Sequence, residues 1–400
     1  MSGVHQALLL SPSGDLTIGT VPTPSPSHGE VLIAPLLVGV CGTDLDLARR
    51  TRPDFAAILG HEGVARVVGT GADVHTLRTC DLVVFNPVNP RNPDQILGHS
   101  VDGLLQQYRL VTKAELEWGL AVPLAPAVTD QLGVLVEPLA TVIYGHQLVK
   151  AVSRHQSVAI VGAGSIGLLN AVHATLIGTA RVILIDPDAG KLDWAVRLGI
   201  VRAEDALDSA HDLTDGVLRR TAGRGVDAVY LCTPRSAASE GLRQALGYLA
   251  PGGCIDLVAG FGDTETMVEL PDVPLNAVRR ANTCGFPLQG THRKVVDRSG
   301  KDLYLTGHRG TSAGHMAEAT GHLERNAAAY GKLITHRVGF REAAVAIRSM
   351  ATGDGQWRPG HVRAKVVVDL TGAEAPFSPV LSSRPESRGS DTPCAGRRSR

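Results

Sequence analysis

The 400-residue sequence lacks closely paired cysteines, and this absence excludes two common architectures. Its six cysteines form no Cys-x-x-Cys pair; they are Cys41, Cys80, Cys232, Cys254, Cys284 and Cys394. This spacing argues against a disulfide scaffold and against a zinc ribbon, because both need cysteines in close or repeated sets. It also favours a reducing compartment.

Neither sign of charge is in excess, and no long apolar run is present. Lysine and arginine together number 39, as do aspartate and glutamate, so no basic surplus indicates a nucleic acid or an anionic membrane as partner. No segment reaches the roughly 18 unbroken apolar residues of a membrane span, and the N-terminus has no cationic start. We therefore expect a cytoplasmic protein whose partner is a small molecule.

Apolar residues make up 44% of the sequence, enough in 400 residues for two domains with their own cores. Residues 1–144 consist of short β-runs broken by glycine and proline, which predicts a β-rich lobe. Residues 145–310 alternate apolar strands with amphipathic stretches, which predicts an α/β domain with a doubly wound parallel sheet. We expect residues 311–370 to return to the first lobe and the tail 371–400, rich in Pro, Ser and Arg, to be disordered.

A glycine-rich loop follows the first strand of the predicted parallel sheet. Gly162, Gly164 and Gly167 have the Gly-x-Gly-x-x-Gly spacing, and Ser165 and Ile166 complete the loop before an amphipathic helix. The first glycine would permit a tight turn, the second would let backbone approach a pyrophosphate, and the third would let helix and strand pack closely. The loop therefore predicts a dinucleotide site.

An acidic residue, Asp186, ends the next strand at about the ~20-residue offset where a carboxylate accepts hydrogen bonds from the adenosine ribose. The same carboxylate would repel a 2′-phosphate, so we predict NAD rather than NADP. The alternative is that the three glycines form an ordinary loop and Asp186 caps a helix. Lys191, in the following helix, either touches the adenosine ribose or is a solvated lysine.

Two motifs in the first lobe contain zinc-binding residue types: Val40-Cys41-Gly42-Thr43-Asp44 and Leu59-Gly60-His61-Glu62-Gly63. A thiolate and an imidazole on separate loops can bind Zn²⁺, with a carboxylate completing the set and one position open for water or alcohol. Together with the dinucleotide loop, these motifs resemble those of the zinc-dependent medium-chain dehydrogenase/reductase family, within the alcohol dehydrogenase superfamily, and in particular its polyol and cyclitol branch. The resemblance extends to about Leu370 and implies a GroES-like catalytic domain plus a Rossmann domain.

The resemblance implies that Cys41, His61 and Glu62 are zinc ligands. The stretch Leu135-Val-Glu137-Pro138-Leu139-Ala140 resembles the family's third ligand region, so Glu137 either binds the metal directly or holds its water, and Glu62 can exchange with it. Taken singly, these residues are better explained as a buried cysteine, a structural histidine and loop carboxylates. Their joint occurrence beside a dinucleotide fold favours the metal.

The family often has a second, structural zinc held by four closely spaced cysteines. The corresponding stretch here, Phe85–His99, contains no cysteine, so we predict one catalytic zinc per chain and no structural zinc. Relatives are commonly dimers or tetramers, and the resemblance therefore implies a homodimer or homotetramer.

The resemblance also implies catalytic roles beside the metal. Thr43 matches a hydroxyl that relays the alcohol proton through the cofactor ribose, although a simple turn residue is the alternative. Asp44 resembles a carboxylate that orients His61 through its other ring nitrogen, or else it caps the following helix. Glu62 is included with these catalytic residues because of its place beside the metal.

Four further residues follow successive strands of the predicted parallel sheet, where open α/β sheets bind ligands. We assign them to the nicotinamide, with core packing as the alternative; they are Cys232, Thr233, Val258 and Gly260.

These features predict an enzyme that transfers a hydride between NAD and a secondary alcohol of a polyhydroxylated small molecule. A glutamate-rich zinc site favours a polyol, a sugar or a cyclitol. The composition, typical of GC-rich bacterial genomes, favours a cyclitol or aminocyclitol of antibiotic biosynthesis. Two alternatives remain open: a zinc-free, NADPH-dependent enone or quinone reductase of the same family, and a catalytically silent NAD-binding protein.

Overall fold

The computed structural model describes residues 3–209, 213–354, 357 and 362–372, and the predicted tail beyond 372 lies outside this part. The elements up to residue 133 are mostly short strands. In chain order they are β1 (Val4–Leu10), β2 (Leu16–Pro22), β3 (Val31–Gly39), α1 (Gly42–Ala48), β4 (Glu62–Thr70), β5 (Leu82–Phe85), β6 (Arg109–Val111), α2 (Lys113–Glu117), β7 (Ala121–Pro123) and α3 (Asp130–Gly133).

Strands and helices then alternate as far as residue 309. The elements of this part are α4 (Val136–Lys150), β8 (Ser157–Val161), α5 (Ser165–Leu176), β9 (Arg181–Asp186), α6 (Ala189–Arg197), β10 (Ala206–Asp208), α7 (Leu213–Arg220), β11 (Val226–Leu231), α8 (Ala238–Tyr248), β12 (Leu249–Asp256), α9 (Leu275–Arg279), β13 (Asn282–Thr283), β14 (Arg293–Val296), β15 (Asp302–Thr306) and β16 (His308–Arg309). The last elements are α10 (Ala313–Arg325), α11 (Ala327–Gly331), β17 (Ile334–Gly339), α12 (Ala343–Thr352) and β18 (Lys365–Asp369).

The first lobe is built on a largely antiparallel sheet. Its strand order is β17-β18-β3-β4-β5-β7, with β6 also paired to β3, while β1 and β2 form a separate hairpin. Strand β3 alternates fully buried with half-buried positions along most of its length, because successive side chains point to opposite faces of a sheet. The predicted β-rich lobe is confirmed.

The second lobe contains a sheet in the order β10-β9-β8-β11-β12-β15-β14, parallel except for its last strand. The chain fills one half of this sheet from β8 outward and then the other half from β11 outward. This order produces the switch point between β8 and β11 at which doubly wound folds bind ligands. The predicted doubly wound parallel sheet is therefore confirmed, and the stretch 262–302, for which no structure was predicted, supplies α9, β13 and β14.

Helix α4 connects the two lobes. It packs against α10, α5 and β12, and the core cluster around it includes Leu37 and Val64 of the first lobe as well as Val158 and Ile160 of the second. Segment 311–370 therefore contributes to both lobes: α10 and α11 pack on α4 and α5, whereas β17 and β18 join the first sheet. No helix in the described part of the chain is both long and apolar enough to cross a bilayer.

Candidate metal centre and cofactor loop

Three predicted metal ligands come together where β3, α1 and β4 meet. The Cys41 thiol, a His61 ring nitrogen and a Glu62 carboxylate oxygen lie within 4.8 Å of one another, and we call these three residues the metal group. The antiparallel register of β3 and β4 pairs Gly39 with Glu62, so the chain on either side brings the cysteine close to the histidine. A soft thiolate, an imidazole and a carboxylate oxygen are a donor set that suits zinc.

Asp44 is buried in the first turn of α1, and its carboxylate bonds to the backbone of both metal motifs. It accepts hydrogen bonds from the backbone N–H groups of Cys41 at 2.8 Å and Gly60 at 3.3 Å. Its distance to His61 Nδ1 is 3.8 Å, too long for a hydrogen bond. The structure thus has the helix-capping contact that was the alternative role for Asp44. The Asp44 carboxylate lies beside His61 but is not hydrogen-bonded to it. Thr43 lies half-buried in the same turn.

Sequence reasoning missed Lys365, which forms a buried ion pair with Glu62. Lys365 Nζ contacts Glu62 Oε2 and donates to the Val40 carbonyl at 3.2 Å, and both charged side chains are only 2% exposed. Gly39 makes room for the lysine, because a Cβ there would lie 2.6 Å from Lys365 Cε. Burial raises the pKa of the Cys41 thiol, and the positive charge of Lys365 opposes that shift. The signal for Lys365 in the sequence was a lysine at the first position of the mainly apolar strand β18.

Glu137 lies in the first turn of α4 and is not part of the three-residue group. Burial raises the pKa of its carboxyl, while His61 and a hydrogen bond with Thr141 oppose the shift. Among the described residues, Cys41, His61 and Glu62 form the one group of three or more possible ligands. Glu62 therefore lies within 4.8 Å of the cysteine and histidine, and Glu137 lies outside that group although its charge acts on Cys41.

His99 also packs against the metal group and was not singled out from the sequence. Its ring lies edge-to-face on the His61 ring, with centroids 4.5 Å apart. The imidazole is buried, and neither nitrogen has a hydrogen-bond partner in the described structure. Burial lowers the pKa of His99 well below its ordinary value, and His61 and Arg52 lower it further.

The glycine-rich loop connects β8 to α5 in a conformation that needs glycine. Gly162 has φ +105°, and a Cβ there would lie 2.6 Å from the Cys232 carbonyl oxygen. A Cβ on Gly167 would lie 1.7 Å from the Gly162 carbonyl oxygen, whereas one on Gly164 would meet nothing within 4 Å. The space beside Gly164 is where a dinucleotide pyrophosphate can approach the backbone.

The N-terminal turn of α5 contains the other two loop residues. Ser165 Oγ donates a hydrogen bond to the Ala364 carbonyl, which ties the loop to the segment just before β18. Ile166 is half-buried and packs against the core around α4. The loop is thus anchored directly beside the strand that begins with Lys365.

The Asp186 carboxylate at the end of β9 holds the loop in place. It accepts from the Ala163 N–H at 2.7 Å, from the Asp188 N–H at 2.9 Å and from Lys191 Nζ at 3.4 Å. Asp188, not Asp186, caps α6, because its side chain accepts from the N–H groups of Gly190 and Lys191. The alternative that Asp186 caps a helix does not hold, and Lys191 lies against the carboxylate expected at the ribose.

The residues assigned to the nicotinamide follow β11 and β12 on the same edge of the sheet. The Thr233 hydroxyl is buried and has no partner within the described residues. The Cys232 thiol accepts from Asn170 Nδ2 at 3.5 Å, and burial raises its pKa well above the ordinary value. Val258 and Gly260 are half-buried, and little surrounds a Cβ placed on the glycine. Space and an unpaired hydroxyl are therefore present at this edge.

Two family models match the chain. The model for "Zinc-binding dehydrogenase" matches residues 165–298, and the model for "Alcohol dehydrogenase GroES-like domain" matches residues 27–119. The D-xylulose reductase of Saccharomyces cerevisiae is 28% identical over 293 residues, covering 68% of this chain and 80% of that protein. The glucose 1-dehydrogenase 1 of Caldivirga maquilingensis is 31% identical over 260 residues, covering 60% and 74%.

Solved structures share the same fold. The crystal structure of a zinc-binding dehydrogenase from Sinorhizobium meliloti, bound to NADP, superposes with a TM-score of 0.70 at 23% identity. The superposition covers 92% of this chain and 100% of that chain. The likeness confirms the pairing of a GroES-like domain with a Rossmann domain.

Proposed function

The chain belongs to the zinc-dependent medium-chain alcohol dehydrogenase family, and on that premise we propose that it transfers a hydride between NAD and a secondary alcohol of a polyhydroxylated small molecule. One observation carries the proposal: Cys41, His61 and Glu62 converge within 4.8 Å in a protein that also has a dinucleotide loop. Neither feature alone makes an alcohol dehydrogenase.

The residues of the metal group fit a single catalytic zinc ion. Cys41 and His61 would hold it with Glu62, while Glu137, in the first turn of α4, would bind its water or exchange with Glu62. Bound zinc supplies Lewis-acid chemistry that lowers the pKa of a substrate hydroxyl. The stretch Phe85–His99 has no cysteine for a structural zinc, and we propose one ion per chain.

The protein's own residues would move the proton and orient the ligands. Thr43, half-buried beside the metal group, would accept the alcohol proton and pass it through the cofactor ribose towards solvent. Asp44 fixes the backbone of Cys41 and Gly60 and so sets the positions of the thiol and the imidazole. The thiol and the imidazole are thereby held in place before any ligand binds.

The proposed cofactor is NAD. The buried Asp186 carboxylate stands at the end of β9, where its negative charge would disfavour a 2′-phosphate. The loop formed by Gly162, Gly164, Ser165, Ile166 and Gly167 would receive the pyrophosphate at the space beside Gly164. Lys191 would be released from Asp186 towards the adenosine ribose, and the nicotinamide would lie near Thr233, Cys232, Val258 and Gly260.

The proposed substrate is a polyol, a sugar or a cyclitol, with an aminocyclitol of antibiotic biosynthesis included. Support comes from the two carboxylates near His61, Glu62 in the metal group and Glu137 outside it, and from relatives named for xylulose and glucose. The zinc-free reductase alternative is disfavoured because Cys41, His61 and Glu62 are all present and close together. The silent NAD-binding alternative is disfavoured by the retained Thr43.

The test is a panel of polyols, cyclitols and aminocyclitols offered with NAD and with NADP, followed by absorbance of the reduced cofactor before and after chelation. We expect turnover with NAD that chelation abolishes and added Zn²⁺ restores. Turnover of enones with NADPH that survives chelation would instead establish the reductase. Cofactor binding without turnover of any alcohol would establish the silent protein.

A matched pair of cysteine variants separates metal binding from general damage. Cys41→Ser is expected to lose bound zinc and dehydrogenase activity together. Cys284→Ser should retain both, because that buried cysteine lies outside the metal group and its Sγ donates to the Val88 carbonyl at 3.7 Å, a hydrogen bond that serine can also make. Zinc content is measured by elemental analysis of the purified proteins.

We also propose that the protein assembles as a homodimer or homotetramer. Light scattering coupled to size-exclusion chromatography measures the mass directly, and a mass of about one chain would reject this assembly.

A further inference from the structure

The position of His99 is fixed by the way its loop packs onto the metal motif. Gly98, with φ +69°, and Gly103 both press against the backbone of Gly60, the residue before the metal-binding histidine. A Cβ on Gly98 would lie 2.7 Å from the Gly60 carbonyl oxygen, and one on Gly103 would lie 2.3 Å from it. Only glycine at both positions lets the loop bring His99 onto the His61 ring, 4.5 Å between centroids.

His99 is a buried polar side chain whose ring nitrogens make no hydrogen bond with the described residues. It is 8% exposed, and within the described residues neither Nδ1 nor Nε2 has a hydrogen-bond partner. Buried polar groups are nearly always hydrogen-bonded, and leaving one unpaired costs stability. A neutral imidazole offers one N–H donor and one lone-pair acceptor, so its missing partner is a group that can accept or donate.

We propose that His99 is a specificity-determining residue that hydrogen-bonds a second hydroxyl of the substrate, on the carbon next to the one that is oxidised. This rests on the proposed function, because the reacting hydroxyl must lie at the metal group that includes His61. A hydroxyl on the adjoining carbon would then come within a few ångströms of the His61 ring, against which His99 packs. A hydroxyl both donates and accepts, which matches the two free ring nitrogens.

The test compares two alcohols that differ by that one hydroxyl, cyclohexanol and cyclohexane-1,2-diol, in the zinc-loaded enzyme with NAD. His99→Phe keeps an aromatic ring on His61 but removes both nitrogens. We expect the ratio of kcat/KM for the diol to kcat/KM for cyclohexanol to fall about tenfold, the size of effect that one uncharged hydrogen bond produces. His99→Asn and His99→Gln, which each restore one polar position, should recover part of the ratio.

Ser100→Ala is the matched control for damage to the loop. Ser100 Oγ accepts from the Ile96 N–H at 3.0 Å and donates to the Asp94 carbonyl at 2.6 Å, so its loss loosens the same loop without touching the imidazole. We expect this variant to keep the wild-type ratio. A purely structural role for His99 would lower both activities equally in His99→Phe and leave the ratio unchanged, which would overturn the proposal.

Calorimetric binding of both alcohols to the zinc- and NADH-loaded protein keeps the inference separate from the proposed function. If the wild type oxidises neither of these alcohols nor any member of the polyol and cyclitol panel, the proposed function fails, but weaker binding of the diol by His99→Phe would still support the role of His99. Equal diol binding by wild type and variant would reject that role, as would a wild type without any preference for the diol. Zinc content and NADH affinity of His99→Phe should equal those of the wild type.

Discussion

Asp256, at the end of β12, is a buried carboxyl group of the second lobe. It is 0% exposed, and neither carboxyl oxygen has a hydrogen-bond partner in the part of the chain that the structure describes. Helix α4 passes so close that a Cβ on Gly145 would lie 2.3 Å from Asp256 Oδ2. Burial raises the pKa of Asp256 from 3.8 to about 7, against an opposing effect of Arg279.

This shift makes the folded protein less stable as the pH rises. Above pH 3.8 the unfolded chain releases the Asp256 proton while the folded protein keeps it, so the free energy of unfolding falls until the pH reaches about 7 and is then constant. The two pKa values imply that wild-type stability falls by roughly 2 to 3 kcal/mol between pH 5 and pH 8 through this group alone. Asp256→Asn removes the titration, and any packing cost of the amide is the same at every pH.

Urea denaturation of wild type and Asp256→Asn, measured at intervals from pH 5 to pH 8, tests this reasoning. We expect the difference in unfolding free energy to move in favour of the variant by the stated amount across the range. Asp193→Asn, which alters an exposed aspartate on α6, should run parallel to the wild type. Parallel curves for wild type and Asp256→Asn would show that Asp256 is not a buried, protonated acid in the folded protein.

Three further predictions concern the cofactor loop, the buried ion pair and acid stability. Gly164→Ala should fold with wild-type thermal stability but lose at least about tenfold in NADH affinity by fluorescence titration, since its Cβ meets only the space for the pyrophosphate. Gly167→Ala, whose Cβ would lie 1.7 Å from the Gly162 carbonyl oxygen, should lose thermal stability as well. In urea denaturation of the chelated protein, Lys365→Met should lower the free energy of unfolding by about 3 to 5 kcal/mol, because Glu62 is left buried and unpaired. Adding Glu62→Gln to this variant should recover part of the loss. Burial lowers the pKa of His173 to about 3, so its imidazole stays neutral in the folded protein and the free energy of unfolding falls as the pH drops below about 6.5. His173→Gln should remove about 2 kcal/mol of the loss in unfolding free energy between pH 7 and pH 5. Identical pH profiles for wild type and variant in urea denaturation would contradict this.

The sequence predicted best those features that depend on residues near one another in the chain. The glycine spacing and the acid at the end of β9 identified the loop, because strand, turn and helix are set by local backbone geometry. The two metal motifs were recognised by resemblance, and the register of β3 with β4 brings them together. The position of the glycine-rich loop after β8 could therefore be predicted without knowing how distant segments pack.

The missed features depend on contacts between distant segments. Lys365 pairs with Glu62 across 303 positions, and a lysine opening a strand gives no sign of its partner. His99 reaches His61 only because Gly98 and Gly103 let one loop press on Gly60. The choice between helix capping and histidine orientation for Asp44 likewise needed distances, since both roles use the same residue at the same place in the chain.

Contacts with the second lobe hold the loop that contains His99. Asp94 bridges Arg280 at 3.0 Å and Arg309 at 3.1 Å, and Asn86 Nδ2 donates to the Thr311 carbonyl at 2.7 Å. A small apolar cluster of Val88, Ile96 and Cys284 adds to this contact. These partners belong to the segment that follows β12 of the second lobe. His99 is therefore placed against the metal group by a loop that contacts both lobes, Gly60 of the first and Arg280 and Arg309 of the second.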